Sequence, residues 1–488
     1  MRKPTPFAAC ALALTLLWAG CASALPATLS VRAFGAVGDG KHDDTAAFQA
    51  ALDEAAKTGA AVLVDPVSPG GGYVLTREVL LRPGTSLVGS LAGMPFIAWE
   101  GVARQMQTGP VILARPAPDQ YQGKERRPLF TLEGGNTLRG LYILYDRQPW
   151  PSDAEFADPR SLYHYESGEE TIRRFLREHV APVGPTVMVR PGVASTTVED
   201  VTCGRYRDFF YAPAGGKIAI NRIYLYGYGR AFALREGRDT IRISQVHLVP
   251  NVEEPISWQH ATLQAAITAD PGNIAFDLGS VDGYSISDAT IFLVHTGVKL
   301  GASEAAPFLD PVTGERVCHK WGLGPWGSLH NVKVDNCVVG FDCALGTILP
   351  NQLDNVMVHV SIGTPETFPA AGGTVARQAA FLVRPDFAGA TLQISNLALS
   401  SFAPRNVVAT GRMVHEANGR AFLVDCPGQP PVDYADRSRA NLEVCGLVVS
   451  NIPRSHLYAA TTGTKSAVRV RGFVHNGVPQ RDQALAAK

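Results

Sequence analysis

A short pattern recurs along most of the chain: a turn residue, then alternating β-branched or other apolar positions. TVEDVTCG, AINRIYLYG, RISQVHLV and LHNVKVDNC are copies of it, and the clearest consecutive copies lie 22, 23, 24 and 26 residues apart. One such unit cannot bury its own apolar face, so the repeat predicts a solenoid of stacked coils. The first inward apolar residues of the copies, called anchors below, are Leu141, Val201, Ile223, Val246, Ala289, Val332, Val356, Leu397, Leu447 and Phe473.

Two further columns support this register. Turn-forming residues directly precede the anchors, among them Asp288, Asn331 and Asn355, which adopt left-handed dihedrals readily. A second strand follows several anchors and has its own inward column, which is Phe232, Val298, Phe341, Phe381 and Phe422. Coils of this length with two or three short strands predict an all-β parallel β-helix over residues 29–475, and the LxxLxL signature of leucine-rich repeats is not found.

An amphipathic segment near the start of the chain predicts one α-helix over residues 43–58. Asp43 or Asp44 is the expected N-cap, and Gly59 ends the helix. Phe48 and Leu52 fall on its apolar face. We expect this helix to cap the open end of the solenoid, where the core and unpaired strand edges would otherwise be exposed.

The same region resembles a known family. The runs FGAVGDGKHDDTAAFQAALDEA, AAVLVDP, GGYVL and VLLRPGTSLVG, within about residues 30 to 90, are similar to the N-terminal signature of the pectate lyase superfamily. The resemblance implies a right-handed parallel β-helix and an activity on polysaccharides, as hydrolase, lyase, epimerase or tailspike depolymerase. It carries over no catalytic residue, because the NTD, GHG, WIDH and DPHD motifs of that superfamily are not found in this chain.

The composition and the N-terminus limit the partners. A formal net charge of zero argues against nucleic-acid binding. Residues 1–24 have the basic, apolar and A-x-A regions of a signal peptide, which predicts cleavage after Ala24 and a secreted or periplasmic protein. Lipidation at Cys21 is the alternative. No later apolar run reaches the roughly 20 residues that a membrane-spanning helix needs.

Three segments interrupt the coil pattern, at residues 147–185, 250–275 and 302–328, and residues 476–488 read as a tail. Long insertions between regular coils often form groove walls or oligomer contacts. They carry Trp258, His260, Trp321 and Trp326, which we assign to substrate binding because aromatic rings stack on sugar faces. The alternative is that these aromatic residues fasten the loops to the coils.

Residues that follow an anchor by one or three positions point outward. In the middle coils these outward residues form what we call the stripe, which is Tyr224, Tyr226, His247, Lys333, Asp335 and His359. We assign His359 to substrate binding and the other five to catalysis. On the following strand, Arg235 and Lys299 are expected to bind substrate, and Asp342 is a further catalytic candidate.

The stripe favours β-elimination on a uronate-containing polysaccharide. Lys333, Lys299 or Arg235 would neutralise the carboxylate. His247, or a lysine whose pKa is lowered by cationic neighbours, would act as base, and Tyr224 or Tyr226 would act as acid. A hydrolase needs two carboxylates, for which Asp335 and Asp342 are the candidate pair. The remaining alternative is a non-catalytic β-helix that binds or organises an exported polysaccharide.

The sequence predicts no cofactor and no metal. Acidic residues such as Asp270, Asp277 and Asp282 could bind Ca²⁺, but their spacing does not demand an ion. A homo-oligomer, such as the trimer of a tailspike, is compatible with the solenoid.

Overall fold

The structure is a computed structural model of the 488-residue chain. It describes residues 28–91, 109–164, 169–249, 261–319, 323–347, 349–360, 379–387, 390–401, 420–424, 441–450, 457–460 and 467–485. The predicted signal peptide lies outside the described residues. Within them, no helix is both long and apolar enough to cross a membrane.

Strands stacked in parallel from coil to coil make up most of the described chain, as the solenoid prediction requires. In chain order the strands are β1 Thr28–Ser30, β2 Asp39–Asp43, β3 Ala61–Leu63, β4 Gly72–Leu75, β5 Val79–Leu81, β6 Ser86–Val88, β7 Val111–Ala114, β8 Phe130–Leu132, β9 Thr137–Leu144, β10 Val187–Val189, β11 Val193–Ala212, β12 Gly215–Gly237, β13 Ile241–Leu248, β14 Ile274–Leu300, β15 Phe308–Leu309, β16 Arg316–Val317, β17 Trp326–Cys343, β18 Asn351–Val360, β19 Ala379–Val383, β20 Thr391–Ser401, β21 Arg420–Val424, β22 Asn441–Ser450, β23 Tyr458–Ala460, β24 Ala467–His475, β25 Val478–Gln480 and β26 Gln483–Leu485.

Within the described part of the chain, helices are few and lie outside the coils. The α-helices are α1 Thr45–Thr58, α2 Asp153–Ala157, α3 Glu169–His179 and α4 Ala261–Ala269. Short 3₁₀ helices cover Val31–Phe34, Pro118–Gln120 and Pro385–Phe387. Helices α2 and α3 belong to the predicted insertion at 147–185, and α4 belongs to the insertion at 250–275. The insertion at 302–328 contains the antiparallel hairpin of β15 and β16.

The predicted register is confirmed. Each of the first nine anchors lies directly opposite the next anchor in the parallel ladder, for example Val246 opposite Ala289 and Ala289 opposite Val332. All ten side chains are buried in the main hydrophobic core. The second inward column is stacked in the same way, and the parallel rings of Phe341 and Phe381 lie 4.8 Å apart.

The residue directly before each anchor explains why the coils bend there. Each residue directly before an anchor has a positive φ, including Asp288 and Asn331 at 54° and Asn355 at 52°. Asparagine and aspartate tolerate this left-handed region better than most residues, and their side chains also bond along the stack. Asn331 donates to Asp288 at 2.7 Å, and Asn355 donates to Asn331 at 3.2 Å.

The acidic residues of the N-terminal signature have structural roles. Asp44 occupies the N-cap of α1 but makes no side-chain capping bond; Asp43 Oδ1 instead accepts from Thr45 N at 3.1 Å. The fully buried Asp44 carboxylate accepts from the backbone N–H groups of Val37, Gly38 and Val74 at 2.6, 3.2 and 3.3 Å. Asp44 therefore ties the glycine-rich loop to β4. The apolar face of α1 joins the core of the first coils.

Replacing Asp44 with alanine should lower the free energy of unfolding by at least about 3 kcal/mol, because buried N–H donors would lose their acceptor. Asp53→Ala on the same helix is the matched control, since Asp53 forms a partly exposed pair with Arg82 and should cost about 1 kcal/mol or less. Urea unfolding followed by circular dichroism measures both. Equal losses for the two variants would contradict the role given to Asp44.

The prediction of a C-terminal tail at 476–488 is wrong for residues 478–485. Strand β25 pairs antiparallel with β24 through Phe473 opposite Gln480, and β26 pairs antiparallel with β24 through Val468 opposite Leu485. The physical reason is that the last coil exposes an unpaired strand edge, which these two short strands cover.

Candidate active site

The stripe has the register that the sequence predicts. Tyr224, His247, Thr290, Lys333 and Met357 lie opposite one another on successive coils. Neighbouring strands in such a ladder are about 4.8 Å apart. The side chains nevertheless differ in exposure, so the stripe is not one continuous polar surface.

Tyr224 and Tyr226 do not lie on the surface, and the prediction of exposed tyrosines is wrong. Both rings are buried in a cluster with Trp150, Phe175 and Ile267. The reason is that α2, α3 and α4 pack over this part of the coils. Tyr226 Oη also shares a 2.8 Å hydrogen bond with another buried tyrosine, Tyr142. Neither phenol is placed to donate a proton to a polymer in solvent.

His247 is half-buried beside this cluster. Its ring meets the edge of Tyr224 with centroids 5.0 Å apart, and burial lowers the pKa of its imidazole. With Arg222, Gln245 and Asp288 it lines a shallow depression of about 350 Å³.

Lys333 is exposed, and the two residues beyond it in the stripe form a pair. Asp335 lies opposite His359, with His359 Nδ1 3.9 Å from Asp335 Oδ1 and 3.1 Å from Ser400 Oγ. Burial raises the pKa of Asp335, against the effect of His359, and lowers the pKa of His359, against the effect of Asp335. The pair of Asp335 and His359 is polar and half-buried. It lacks the exposed tyrosines predicted for the stripe, because Tyr224 and Tyr226 are buried.

The two carboxylates proposed for a hydrolase are not brought together as a pair. Asp342 is buried and accepts from Arg384 Nε and Nη2 at 2.6 and 2.8 Å, whereas Asp335 faces His359. Both residues lie on β17, and Asn336, with φ of 54°, bends that strand between them. Each carboxylate therefore has its own partner on another coil.

A denser group of polar side chains lies on the strand that follows the stripe. The outward column there passes from Tyr211 through Ala233, Asp277 and Lys299 to Asp342. We define the Asp277 site as Tyr211, Arg230, Arg235, Asp277, Lys299, Ser303, Asp310 and His319. The sequence had assigned Arg235 and Lys299 to substrate binding.

Asp277 is buried in this site and is held between two cations. Its Oδ2 is 3.4 Å from Arg230 Nη1, and its Oδ1 is 3.3 Å from Lys299 Nζ. Arg230 Nε also pairs with Asp208 Oδ1 at 2.8 Å, and Lys299 Nζ donates to Pro307 O at 2.6 Å. Asp277 is 1% exposed and Lys299 is 4% exposed.

The hairpin of β15 and β16 closes one side of the site. Asp310, which directly follows β15, accepts a hydrogen bond from Tyr211 Oη, and its Oδ2 is 3.7 Å from Arg235 Nη1. Burial and this hydrogen bond raise the pKa of Tyr211, so its phenol keeps its proton. The Phe308 ring stacks on Tyr211 with centroids 6.2 Å apart.

Several polar atoms in the site lack a hydrogen-bond partner among the described residues. They are Arg235 Nε, Asp277 Oδ1, Ser303 Oγ and His319 Nε2, and each has almost no solvent-accessible area. Buried polar atoms are normally satisfied, because an unpaired one costs about 1–3 kcal/mol. Three of these side chains, Arg235, Asp277 and His319, lie near enough to interact electrostatically, and a polar ligand among them would supply the missing partners.

His319 lies beside Gly279. A Cβ on Gly279 would be 2.3 Å from Arg235 O, so the close backbone approach requires glycine there, and the same Cβ would be 3.0 Å from His319 Nε2. Burial lowers the pKa of His319; the nearby Arg235 and Lys299 cations add to that effect, while Glu236 and Asp277 oppose it. The imidazole is therefore neutral at neutral pH.

Sequence reasoning missed Tyr211, Arg230, Asp310 and His319 as parts of one site. The second-strand period could have found Asp277, because it follows the inward Phe276 as Lys299 follows Val298. From the sequence, Asp277 was considered only as a possible calcium ligand, whereas in the structure its carboxylate pairs with Arg230 and Lys299. Of the assigned aromatic residues, Trp258, His260 and Trp321 lie outside the described residues, and Trp326 lies beside Gly283.

Comparison with known proteins agrees with this architecture. Residues 28–122 match the family model for rhamnogalacturonase A/epimerase, pectate lyase-like. The structure of the DFA-IIIase from Arthrobacter chlorophenolicus A6 aligns at a TM-score of 0.50 and 11% identity, covering 90% of this chain and 87% of that chain. The chain has the pectate lyase-like fold. The resemblance seen in residues 30 to 90 is thus confirmed within the matched segment.

Other structures with the pectate lyase-like fold align over similar lengths. The hyperthermoactive exopolygalacturonase of Thermotoga maritima shares 11% identity at a TM-score of 0.46, covering 94% of both chains. The mannuronan C-5 epimerase A-module of Azotobacter vinelandii shares 13% identity at a TM-score of 0.43, covering 90% of this chain and 99% of that chain. No curated protein sequence matches the chain.

Proposed function

We propose that this protein is an exported enzyme that cleaves a uronate-containing polysaccharide by β-elimination at the Asp277 site. The observation that carries the proposal is that Arg235 Nε, Ser303 Oγ and His319 Nε2 are buried and have no hydrogen-bond partner among the described residues. The family model matched by residues 28–122 is named for glycan-active enzymes, which supports a polysaccharide as the substrate. The signal-peptide pattern of residues 1–24 supports export.

The side chains left available to a ligand favour elimination over hydrolysis. Asp277, Asp310 and Asp342 each have a cationic side chain within 3.7 Å. A glycosidase needs one carboxylic acid and one carboxylate that act on the substrate. Apart from Asp277 Oδ1, which lies 3.3 Å from Lys299 Nζ, the atoms without a hydrogen-bond partner are a guanidinium nitrogen, a hydroxyl oxygen and a neutral imidazole nitrogen. The guanidinium and the hydroxyl suit the binding of a substrate carboxylate, and the imidazole nitrogen can accept a proton.

The roles follow from position and charge. In β-elimination a base removes the C5 proton, the bond from C4 to its oxygen breaks, a C4–C5 double bond forms, and the departing oxygen takes a proton. We assign the base to His319 Nε2 and neutralisation of the uronate carboxylate to Arg235, and water protonates the departing oxygen. Lys299 and Arg230 pair with the Asp277 carboxylate and hold it in place.

A panel of polymers tests this function. The purified mature protein is incubated with uronate-containing and neutral polysaccharides, and ultraviolet absorbance of unsaturated ends and reducing ends are followed in parallel. The proposal expects both signals to rise together on a uronate polymer and neither on a neutral one. Reducing ends without absorbance would replace the lyase with a hydrolase, and a folded protein that is silent across the panel would replace the enzyme with a binding scaffold.

The pH profile should report the lowered pKa of His319. A base must be unprotonated, so kcat/KM reaches its maximum above the pKa of His319 and falls as the pH drops through that pKa. Because that pKa lies below the ordinary 6.5, activity should persist at pH values where an ordinary histidine is largely protonated. The measurement is kcat/KM against pH at constant ionic strength. An acid limb centred above 6.5 would contradict the assignment.

A further inference from the structure

A cavity of about 440 Å³ lies where two of the insertions meet the coils. We call it the α3–α4 cavity, because residues of α3, of the segment after α3 and of the loop after α4 line it together with one residue of β11. The lining residues used below are Leu176, Arg177, Val180, Pro182, Arg207 and Asp270. They belong neither to the stripe nor to the Asp277 site, so the cavity is separate from both candidate locations of the chemistry.

Packing and hydrogen bonds hold the walls of the α3–α4 cavity in place. Leu176 is buried in the apolar cluster that packs α3 and α4 onto the coils. The backbone of Ala181 donates to Gln148 Oε1 and accepts from Gln148 Nε2, both at 2.9 Å. The loop after α4 is fastened by Asn273, whose Nδ2 donates to Gly229 O at 3.2 Å. The cavity is therefore preformed, as ligand sites usually are.

Arg207 is the polar group of the cavity whose bonding is incomplete. Its Nη1 has almost no accessible area and no hydrogen-bond partner among the described residues. Its Nη2 is 3.8 Å from Asp270 Oδ2, which is longer than a hydrogen bond. Asp270 Oδ1 instead accepts from Gly272 N at 2.9 Å. Because the Arg207 side chain is 28% exposed, a ligand can reach the guanidinium and bond to it.

The lining of the cavity suits an anion that has an apolar body. Arg177 and Arg207 set two positive charges against the single negative charge of Asp270. Val180 and Pro182 add aliphatic surface, which matches the C–H face of a sugar ring and leaves a small inorganic ion without contacts. A volume in the range of about 300–1,000 Å³, with apolar walls and a few polar groups, is typical of small-molecule sites. Arginine binds carboxylates through paired N–H donors.

We propose that the α3–α4 cavity binds a uronate unit of the polysaccharide, with Arg207 donating to its carboxylate. The identity of the ligand rests on the proposed function, which makes a uronate polymer the substrate. Arg207 lies four residues before Tyr211 of the Asp277 site on the same strand, a separation of about 13 Å at about 3.3 Å per residue. A short stretch of one polymer chain spans that distance. The cavity thus holds the substrate by a unit remote from the bond that breaks.

Calorimetric titration with galacturonate and glucuronate tests the site without turnover, because a monosaccharide has no glycosidic bond to cleave. The titration uses Arg235→Gln protein, in which the Asp277 site has lost its assigned carboxylate ligand. Adding Arg207→Gln should weaken uronate binding at least about tenfold, since a charged hydrogen bond is lost. Glucose, which has no carboxylate, should bind at least as weakly. Adding Arg242→Gln instead is the matched control, because Arg242 is an exposed arginine on β13, outside the cavity.

Three results would overturn the proposal: no saturable uronate binding, equal binding with and without Arg207, or binding of inorganic sulfate as tight as that of the uronates. Circular dichroism checks that each variant folds. If Arg207→Gln does not fold, Arg177→Gln decides in its place, since Arg177 is exposed on α3 and should also weaken uronate binding.

Steady-state kinetics connects the cavity to turnover of the polymer. Arg207→Gln in the otherwise wild-type protein should raise KM about tenfold or more and leave kcat near the wild-type value, because a remote contact binds substrate and transition state alike. An unchanged KM would overturn the claim that the substrate occupies the cavity. Absence of turnover by the wild-type protein on every uronate polymer would overturn the proposed function, and the calorimetric titration would still decide whether the cavity binds a uronate.

Discussion

Replacing His319 with glutamine should lower kcat/KM by about 10²–10⁴-fold, the usual contribution of a general base. Glutamine has a similar size and can still donate a hydrogen bond, but it cannot accept the C5 proton. Its effect should appear in kcat rather than in KM, since binding of the carboxylate is assigned to Arg235. Steady-state kinetics on the polymer, with unsaturated product as the signal, measures the loss.

His330→Gln is the matched control for this experiment. His330 is an exposed histidine paired with Asp354 at 3.0 Å, on a strand stretch that contributes nothing to the Asp277 site. It should keep wild-type kinetics. The alternative location of the active site is on the stripe, and His247→Gln tests it in the same assay. Loss of turnover in His247→Gln together with normal turnover in His319→Gln would move the chemistry to the stripe.

The second large effect concerns stability and arises from the buried charges below the site. Arg230→Met should lower the free energy of unfolding by about 3–5 kcal/mol, because Asp208 and Asp277 would lose the cation between them in a dry environment. Arg230 and Asp208 are each 8% exposed at the side chain. Denaturant unfolding followed by circular dichroism gives the change.

Arg77→Met provides an internal standard with the same chemistry. Arg77 and Asp119 form an ion pair at the same 2.8 Å separation, but their side chains are 58% and 56% exposed. Solvent screens such a pair, so its loss should cost about 1 kcal/mol or less. A similar cost for both arginines would show that burial of the Arg230 network contributes little to stability.

The coil register was predictable from the sequence because one backbone requirement repeats in every coil. The residue before each anchor must adopt positive φ, which selects residues such as Asn331 and Asn396, and the next position must be apolar to enter the core. These two constraints act locally, so a spacing of 22 to 26 residues reveals them. The same reasoning correctly placed Lys299 on an outward column.

The site was only partly predictable because its remaining residues come from outside the repeat. His319 and Asp310 lie in an insertion without coil periodicity, and their meeting with Asp277 depends on how the hairpin folds back. Tyr224 and Tyr226 were misplaced for a related reason. Their position on the coil points them outward, but the helices of other insertions cover them. Periodicity fixes the direction of a side chain and not what packs over it.

Mass spectrometry of the fragments first released from a uronate polymer tests the central claim most directly. Elimination leaves each new non-reducing end unsaturated, one water lighter than the hydrolytic fragment of the same length. The Asp277 site as assigned here predicts an unsaturated series from wild-type protein, beside saturated fragments that keep an original non-reducing end, and at least about 10²-fold less of the unsaturated series from His319→Gln. Saturated fragments with no unsaturated series from the wild-type protein would contradict β-elimination at this site.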